Sequence, residues 1–359
     1  METLARTNGA FNPKHIVDTH RHPLGPKLIA KMVGRGLYDP KKPLPQVAAG
    51  DVFVYRELVD LEYAMPKQRE GGVTLSVASN GGEVEWLGRD ILQTTTNETL
   101  RFLNDEYLEI RDTYPGEFAL MANAHALEEG CRVVVDDMLS KNNAKAIAIC
   151  SSYNVIADRQ FLDSPKAEWL WEYAAAKGVP VHIHPPNMAI SNEATTKYRL
   201  NEALARPYDT ALSVARMIGS GVFDRHPKLQ VVVVHMGGDL MALLGRLDFC
   251  WHLNYHGVEN PPADKVALNL RTPSEYFRTN ILVDSFGFSA VGLRAAIDMC
   301  GIDRVLFGTD FGPVPYGVRE QVDIVAGLGL TEDDRNKIYW TNSDAIFGLG
   351  LGSPVLVSV

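Results

Sequence analysis

The sequence predicts an α/β protein built as a (β/α)₈ TIM barrel, and two of its features lead to this fold class. Short apolar and β-branched runs recur along the 359 residues, and helical patterns separate most of them. Several runs lead straight into His or Asp, as expected where the active site of such a barrel forms at the carboxyl ends of its strands. An open, doubly wound sheet would show the same alternation, but the polar strand ends favour the closed barrel.

Eight predicted strands and the helical patterns between them account for most of the chain. The strands are short and mostly apolar on both faces, as parallel strands beneath helices are; they are His15–Asp18, Val73–Ala78, Phe118–Ala122, Ala144–Ile149, Val179–Ile183, Gln230–Val234, Asn280–Val283 and Arg304–Phe307. Three of the four clearest helical patterns end in glycine, a helix-stop signal; the four cover residues 100–114, 166–178, 207–221 and 289–301.

Two segments interrupt the repeat of strand and helix. Residues 23–72, between strands one and two, are rich in Pro and Gly and too long for an ordinary connection, which predicts a lid or small insertion over the rim. Residues 254–274 lengthen the connection after strand six. Because the chain contains no internal repeat and no low-complexity tract, we expect a single domain over residues 1–359.

Charge and composition exclude several classes of partner and location. The formal net charge is −9 without a concentration of Lys and Arg, whereas a nucleic-acid-binding surface must neutralise phosphates. No stretch reaches the ~18 uninterrupted apolar residues of a membrane-spanning helix, and the N-terminal residues lack the apolar centre of a signal peptide. The cysteines are scattered, which fits reduced thiols in a soluble, cytoplasmic protein; they are Cys131, Cys150, Cys250 and Cys300.

The first candidate metal motif is DTHRH, in which Asp18, His20 and His22 end strand one. Side chains alternate along a strand, so His20 and His22 point the same way, toward the mouth of the barrel. Two imidazoles that converge on one point favour a transition-metal site. Taken alone, the H-x-H pattern equally fits two polar residues that end a strand.

Strands five and six also end in histidines. In VHIHPP, His184 lies at the rim and His182 one layer deeper, which predicts His184 as a metal ligand and His182 as a hydrogen-bonded core residue. In VVVVHMGG, His235 is the first polar residue after four valines, and the glycines allow a tight turn close to a ligand. A structural role would be the ordinary interpretation of His235 alone, but the other motifs favour a catalytic one.

The motif RVLFGTDFGP places Asp310 at the end of strand eight, which neighbours strand one where a barrel closes. Asp310 can therefore ligate a cation beside His20 and His22 and also transfer a proton. Each motif is weak by itself, but their occurrence in this order on strands one, five, six and eight is specific.

Together these motifs resemble the amidohydrolase superfamily, in particular the amidohydrolase-related branch that includes aminocarboxymuconate-semialdehyde decarboxylase. The resemblance runs from DTHRHP to WTNSDAIFGLG and includes GVFDRHPKLQVVVVHMGG and RVLFGTDFGP. It implies that His235 acts on the substrate. It also implies one divalent cation, zinc as the first expectation and manganese as the alternative, whose ligands are His20, His22, His184 and Asp310.

The resemblance implies a homodimer as well. Arg246, eleven residues beyond His235, matches an arginine of the family that reaches into the neighbouring subunit's site to hold a carboxylate. Its segment, MALLGRLDFCWHL, is apolar and carries aromatic residues, which are enriched at interfaces. The alternative is that Arg246 pairs with Asp248 or Asp239 on its own surface.

Two comparisons within the family bear on the metal and the substrate. Binuclear members carry a carboxylated lysine at the end of strand four, whereas this chain has Cys150 there and Lys145 at the opposite end, so one cation is expected. Decarboxylases of the resorcylate type carry Glu in place of the first histidine. This chain keeps both His20 and His22, which is the pattern of the semialdehyde decarboxylase.

The predicted function is that of a mononuclear metal-dependent lyase that decarboxylates an aromatic or unsaturated carboxylic acid without oxidation, with His235 or Asp310 supplying the proton. The alternative is a hydrolase or hydratase, in which the cation activates a water and Asp310 accepts its proton. A barrel without catalytic function is disfavoured, because polar ligands at a rim are costly without a metal. Arg56 and Arg69 in segment 23–72 are candidates for a second carboxylate anchor or, alternatively, solvated surface residues.

Overall fold

Eight parallel strands form one sheet, and their order in the sheet is their order in the chain. The structure is a computed structural model that describes residues 13–48, 52–154, 158–190, 193–238, 240–315 and 317–352. Every predicted strand is present and begins within two residues of its predicted start. The strands are β1 (Val17–Arg21), β2 (Leu75–Ala78), β3 (Phe118–Asn123), β4 (Ala146–Cys150), β5 (Val181–His184), β6 (Val231–Val233), β7 (Ile281–Asp284) and β8 (Val305–Leu306).

Backbone hydrogen bonds between the first and last strands close the barrel. The N–H of Thr19 in β1 donates to the carbonyl of Phe307, just after β8, at 2.9 Å. The N–H of Asp310 donates to the carbonyl of His20 at 2.8 Å. The predicted (β/α)₈ barrel is therefore confirmed, and the end of β8 lies directly beside the histidines of β1.

A helix follows each strand and covers the outside of the sheet. Four of these helices, α2, α4, α5 and α7, confirm the four patterns that the sequence shows most clearly. The eight are α1 (Leu61–Glu70), α2 (Thr96–Thr113), α3 (Arg132–Lys141), α4 (Glu168–Lys177), α5 (Arg206–Gly219), α6 (Leu240–Leu253), α7 (Ala290–Cys300) and α8 (Val318–Ala326).

Shorter helical segments lie at the ends of the strands and in the connections. The segment Pro273–Thr279 follows the lengthened connection after α6. Three consecutive helical segments follow α8: Glu332–Asn336, Lys337–Thr341 and Asn342–Phe347. The others are Pro26–Gly34, Arg56–Val59, Val84–Trp86, Leu87–Leu92, Glu129–Cys131, Pro165–Ala167, Glu193–Thr195, Asn201–Ala205, Val222–Arg225, Val234–Gly237 and Ile302–Arg304. No helix in the described ranges is long and apolar enough to cross a membrane.

The predicted insertion between β1 and β2 contains two kinds of structure. Its first part holds the helix Pro26–Gly34 and a hairpin of Gln46–Ala48 with Val52–Val54. Its last part is the barrel helix α1. The predicted range 23–72 includes this helix in the insertion, because Pro66 inside the helix hides the helical pattern in the sequence. The insertion proper is therefore residues 23–59.

The insertion is anchored by a small apolar cluster of its own. Leu28 and Met32 from its helix and Val54 from its hairpin pack against three residues of the barrel. Two of these, Leu87 and Ile91, lie in the helical segment after β2, and the third, Leu103, lies in α2. All six side chains are at most 2 % exposed, so the insertion is fixed against the β2 side of the barrel mouth.

Candidate metal centre and substrate cavity

The four predicted ligands meet at the carboxyl ends of β1, β5 and β8. One ligand atom from each of His20, His22, His184 and Asp310 lies within 4.8 Å of the other three, and all four side chains are buried. An Asp310 oxygen, Oδ1, lies 3.6 Å from His20 Nε2 and 3.8 Å from His22 Nε2. Parallel strands that end on one rim thus bring together side chains that are distant in sequence.

Hydrogen bonds fix the orientation of the two β1 histidines. Nδ1 of His20 lies 2.6 Å from Oδ2 of Asp284, at the end of β7, and Nδ1 of His22 lies 2.8 Å from the carbonyl of Ser79. Both partners accept, so Nδ1 carries the proton and Nε2 keeps the lone pair. This is the arrangement by which a carboxylate or carbonyl fixes the tautomer of a metal-binding histidine and makes it more basic.

Asp284 is the residue of this centre whose role the sequence did not reveal. It ends β7, as other polar residues end other strands, but no motif marks it as a partner of His20. Its second oxygen accepts the N–H of Met236 at 2.9 Å, so it also holds the turn after β6. Burial raises the pKa of Asp284 to about 7, against the lowering influence of His235.

The unpartnered atoms of the centre fit a bound cation. Nε2 of His20 and His22, both ring nitrogens of His184 and Oδ1 of Asp310 are buried without a hydrogen-bond partner. Each such atom costs about 1–3 kcal/mol unless something satisfies it. Burial lowers the pKa of His20 to about 4 and that of His22 to about 3, so their lone pairs are free. Three imidazoles and one carboxylate are ligands that zinc and manganese accept.

Asp310 is held in place by the backbone around it. It has a left-handed backbone conformation, with φ of +50°, in the turn after β8. Asp18 of β1 fixes that turn, because its carboxylate accepts the Thr309 N–H at 3.0 Å and the Thr309 hydroxyl at 2.6 Å. The Asp of DTHRH therefore positions the loop that carries Asp310 instead of facing the centre.

His235 lies beside the centre in a strained turn. His235 and Met236 follow β6 with φ of +55° and +54°, which directs the His235 side chain toward the cavity. Its Nε2 lies 3.7 Å from Oδ2 of Asp310, and its Nδ1 has no hydrogen-bond partner. Burial lowers the pKa of His235, and the nearby carboxylate of Asp310 opposes this. It therefore lines the cavity beside the four-residue group without belonging to that group.

His182 lies below the centre, as predicted, but it is not hydrogen bonded. It is completely buried, and neither ring nitrogen has a partner; the backbone of Thr19 faces the ring without meeting hydrogen-bond geometry. The reason is its depth: its partners in register on the neighbouring strands are Ala148 and Val232, and the ring of His20 lies 6.0 Å away between ring centres.

The end of β4 is covered by the chain itself. The backbone at Gly82, with φ of +78°, lies so close to β4 that a Cβ there would meet the carbonyl carbon of Ile149 at 2.4 Å. The thiol of Cys150 faces the carbonyl of Gly82 at 3.0 Å, and Lys145 extends away to the carbonyl of Gly348. Among the described residues, the position of a fourth-strand ligand is thus filled by backbone, in agreement with a single cation.

A cavity of about 650 Å³ opens above the centre. This volume suits a small organic ligand. His22, His184, His235 and Asp310 lie at its base, and one wall is apolar and aromatic, formed mainly by Leu28, Met32, Leu58, Trp86, Leu87 and Phe286. Residues of the insertion therefore contribute to the lining of the cavity.

The predicted arginines lie away from this cavity. Arg246 is exposed on α6, and among the described residues it forms no ion pair; Asp248 instead accepts the N–H of Ser274, and Asp239 lies outside the described residues. Arg56 pairs with Asp60 at 2.9 Å and Arg69 with Glu117 at 2.6 Å, both on the surface. Two other arginines line the cavity, and no sequence motif marks either: Arg199 lies between β5 and α5, and Arg206 is the first residue of α5.

Comparison with known proteins identifies a family and several relatives that resemble this chain. The family described as amidohydrolase matches residues 100–349. The chain is 31% identical over 186 residues to gamma-resorcylate decarboxylase of Polaromonas sp., covering 50% of this chain and 53% of the relative. It is 31% identical over 156 residues to 2-amino-3-carboxymuconate-6-semialdehyde decarboxylase of Dictyostelium discoideum, covering 44% and 41%. The chain thus spans about half the length of these curated relatives.

The two kinds of relative match at the same identity, each over about half of this chain. A solved structure with a similar fold is 5-carboxyvanillate decarboxylase from Novosphingobium aromaticivorans, complexed with manganese and 4-hydroxy-3-methoxy-5-nitrobenzoic acid. The TM-score is 0.75 at 20% identity, over 95% of this chain and 98% of that one, which supports the same barrel fold.

Proposed function

Because this chain belongs to the amidohydrolase family, we propose that it is a mononuclear metal-dependent lyase that decarboxylates an aromatic or unsaturated carboxylic acid without an oxidant. The observation that carries the proposal is the group of buried, unpartnered ligand atoms beside His235 at the base of an aromatic-lined cavity. The decarboxylases among the curated relatives support the reaction class. Zinc remains the first prediction for the cation, and manganese, which the solved relative holds, is the alternative.

The reaction requires a proton at the carbon that bears the carboxylate, because the electrons of the broken C–C bond would otherwise remain there as a carbanion. A cation held by His20, His22, His184 and Asp310 would supply positive charge for the substrate's carboxylate and a neighbouring oxygen. The proton comes from the pair of His235 and Asp310, whose facing atoms lie 3.7 Å apart.

Within this pair, the proton belongs on His235. Burial raises the pKa of Asp310, but the imidazoles of His20, His22 and His235 hold it well below its usual value, so Asp310 stays ionised. Burial disfavours the imidazolium form of His235, and the facing Asp310 carboxylate favours it. In that form His235 protonates the carbon, the C–C bond breaks, its electrons return to the unsaturated system, and neutral carbon dioxide leaves. A proton from the solvent then restores His235, so one proton is consumed for each carboxylate that is converted to carbon dioxide.

The experiment that tests this function is a carbon dioxide assay of the metal-loaded protein against a panel of aromatic and muconate-like acids. We expect one acid at least to give carbon dioxide and the product that lacks one carboxyl group, in equal amounts. Hydrolysis of an ester, lactone or amide releases no carbon dioxide. Turnover of such substrates, with none of the acids, would contradict the proposal in favour of a hydrolase.

We propose that the insertion acts as a lid of this single-domain barrel. Its apolar residues Leu28, Met32 and Leu58 line the cavity. At the mouth, the guanidinium of Arg199 lies 4.1 Å from the ring centre of Phe53 in the insertion hairpin, which ties the hairpin to the loop after β5.

We also propose that the protein acts as a homodimer in which Arg246 serves the neighbouring site. The α6 helix that carries Arg246 exposes Leu243, Phe249 and Leu253, with 41%, 60% and 49% of each residue accessible. Apolar side chains exposed together on one helix favour an interface. Across a two-fold axis, such a contact would supply the arginine to both sites.

Complementation tests the role of Arg246. An Arg246→Ala chain and a His235→Asn chain, each expected to be inactive, are mixed under conditions that allow subunit exchange. We expect part of the activity to return, because one site of each mixed dimer has both residues intact. Arg101→Ala, which removes an exposed arginine from α2, is the matched control and stays active. Mixed dimers without activity, or a fully active Arg246→Ala chain, would disprove the shared site.

A further inference from the structure

Charged residues also line the cavity, and Arg206 is a cation among them that has no counter-charge in the described part of the chain. Arg206 begins helix α5 and lines the cavity together with His184 and Asp310. Its Nε is buried without a hydrogen-bond partner, and among the described residues its guanidinium forms no ion pair within 4.0 Å. A partly buried guanidinium is stable when a carboxylate or similar anion accepts its hydrogen bonds, so this one lacks an expected partner.

The charge of Arg206 acts on His184 of the metal centre and on Glu83, a carboxyl group that also lines the cavity. Burial raises the pKa of Glu83 to about 7, and Arg206 is the strongest influence that lowers it. Burial and His22 lower the pKa of His184, and Arg206 adds to this. Yet Glu83 accepts the N–H of Asn187 and does not pair with Arg206. Arg206 therefore stands near the centre and remains available to a ligand.

Arg199, the other arginine of the cavity, has protein partners. Its side chain is 58% exposed, its guanidinium lies over the ring of Phe53, and it approaches Glu202 at 4.0 Å. Arg199 therefore connects two segments at the mouth of the cavity, whereas Arg206 has a buried Nε without a partner. Arg199 is consequently a suitable control for Arg206.

We infer that Arg206 binds a second anionic group of the substrate, so that the substrate class is an aromatic or unsaturated acid with a second carboxylate or equivalent anion. This inference rests on the proposed function, in which the reacting carboxylate lies at the metal centre. The planar body of the substrate packs against apolar residues that line the cavity, Trp86 and Phe286 among them. A planar guanidinium binds a carboxylate through two parallel hydrogen bonds, which fix the orientation of the ligand, and its positive charge neutralises the negative charge of the carboxylate.

Binding of two matched, unreactive probes tests the inference on the manganese-loaded protein. One probe is 4-hydroxy-3-methoxy-5-nitrobenzoic acid, which carries a carboxylate across the ring from its hydroxyl; the other is 2-methoxy-6-nitrophenol, the same molecule without that carboxylate. We expect calorimetry to show that the wild-type protein binds the acid about 10- to 100-fold more tightly, the range of a charged hydrogen-bonded pair.

Variants of the two arginines test which side chain causes the preference for the acid. Arg206→Met is expected to abolish it while leaving the affinity for the nitrophenol within about twofold, since only the carboxylate loses its partner. Arg206→Lys should keep part of the preference, because the charge remains. Arg199→Met should keep all of it. Comparing two probes on one variant also makes the result independent of how much of that variant folds.

Three results would overturn the inference: no preference in the wild-type protein, a preference that survives in Arg206→Met, or no binding of either probe. Its failure differs from that of the proposed function. An Arg206-dependent preference without carbon dioxide from any acid would refute decarboxylation and keep the ligand site. Carbon dioxide release without an Arg206-dependent preference would support decarboxylation and refute the anion site at Arg206.

Discussion

The His235→Asn variant is expected to turn over about 10²–10⁴-fold more slowly than the wild-type protein, the usual contribution of a positioned acid or base. Asparagine keeps a polar side chain of similar reach but cannot carry a proton to the substrate carbon. Because His235 lies outside the group of four ligands, with its Nε2 3.7 Å from Asp310, the variant should bind the same amount of metal. Single-turnover rates and elemental analysis of the same preparation measure both quantities.

The matched control for this variant is His226→Asn. His226 follows the short helix Val222–Arg225 and pairs with Glu168 at 2.7 Å, on the outer side of the barrel. It should keep wild-type turnover apart from a small change in stability. A fully active His235→Asn protein would return His235 to a structural role and leave Asp310 as the proton donor.

The second large effect is expected from His184→Ala, which should lose most of the bound metal. Removing a ligand should weaken metal binding by more than the 10–100-fold cost typical of losing a residue that only orients a ligand. His182→Ala is the matched comparison two residues earlier in β5. It removes a fully buried ring from the core, so it should keep the metal and lower the free energy of unfolding by roughly 1–3 kcal/mol.

Metal content after dialysis, together with denaturant unfolding, separates these outcomes. Loss of metal from His182→Ala with retention in His184→Ala would mean that the deeper histidine is the ligand. Equal loss from both would mean that either change disrupts the end of β5 as a whole.

The strand-end residues were predictable because one physical rule governs them. Parallel strands that close into a barrel present their carboxyl ends on one rim, so His20, His184, His235 and Asp310 had to converge once the strands were identified. The positions of these residues in the sequence were therefore sufficient to predict most of the residues of the metal centre. The strand boundaries followed from apolar runs, because buried strands must be apolar on both faces.

Features that depend on loop paths were not predictable in this way. Arg206 begins a helix after an irregular connection, so nothing in its neighbours indicates that it faces the cavity. Asp284 was visible as a strand end, but its contact with His20 depends on how β7 and β1 lie across the barrel. The helix around Pro66 was hidden because proline usually interrupts a helix, and only the packing of α1 against its neighbours overrides this local preference.

Titration of the metal-free protein with zinc or manganese, while carbon dioxide release from an active acid is followed, tests the central claim most directly. The four ligands converge on one point, and the end of β4 is covered by backbone. We therefore predict that the rate rises in proportion to the added cation and reaches its plateau at one equivalent per chain. A plateau at two equivalents, or undiminished release by the metal-free protein, would contradict a mononuclear metal-dependent decarboxylase.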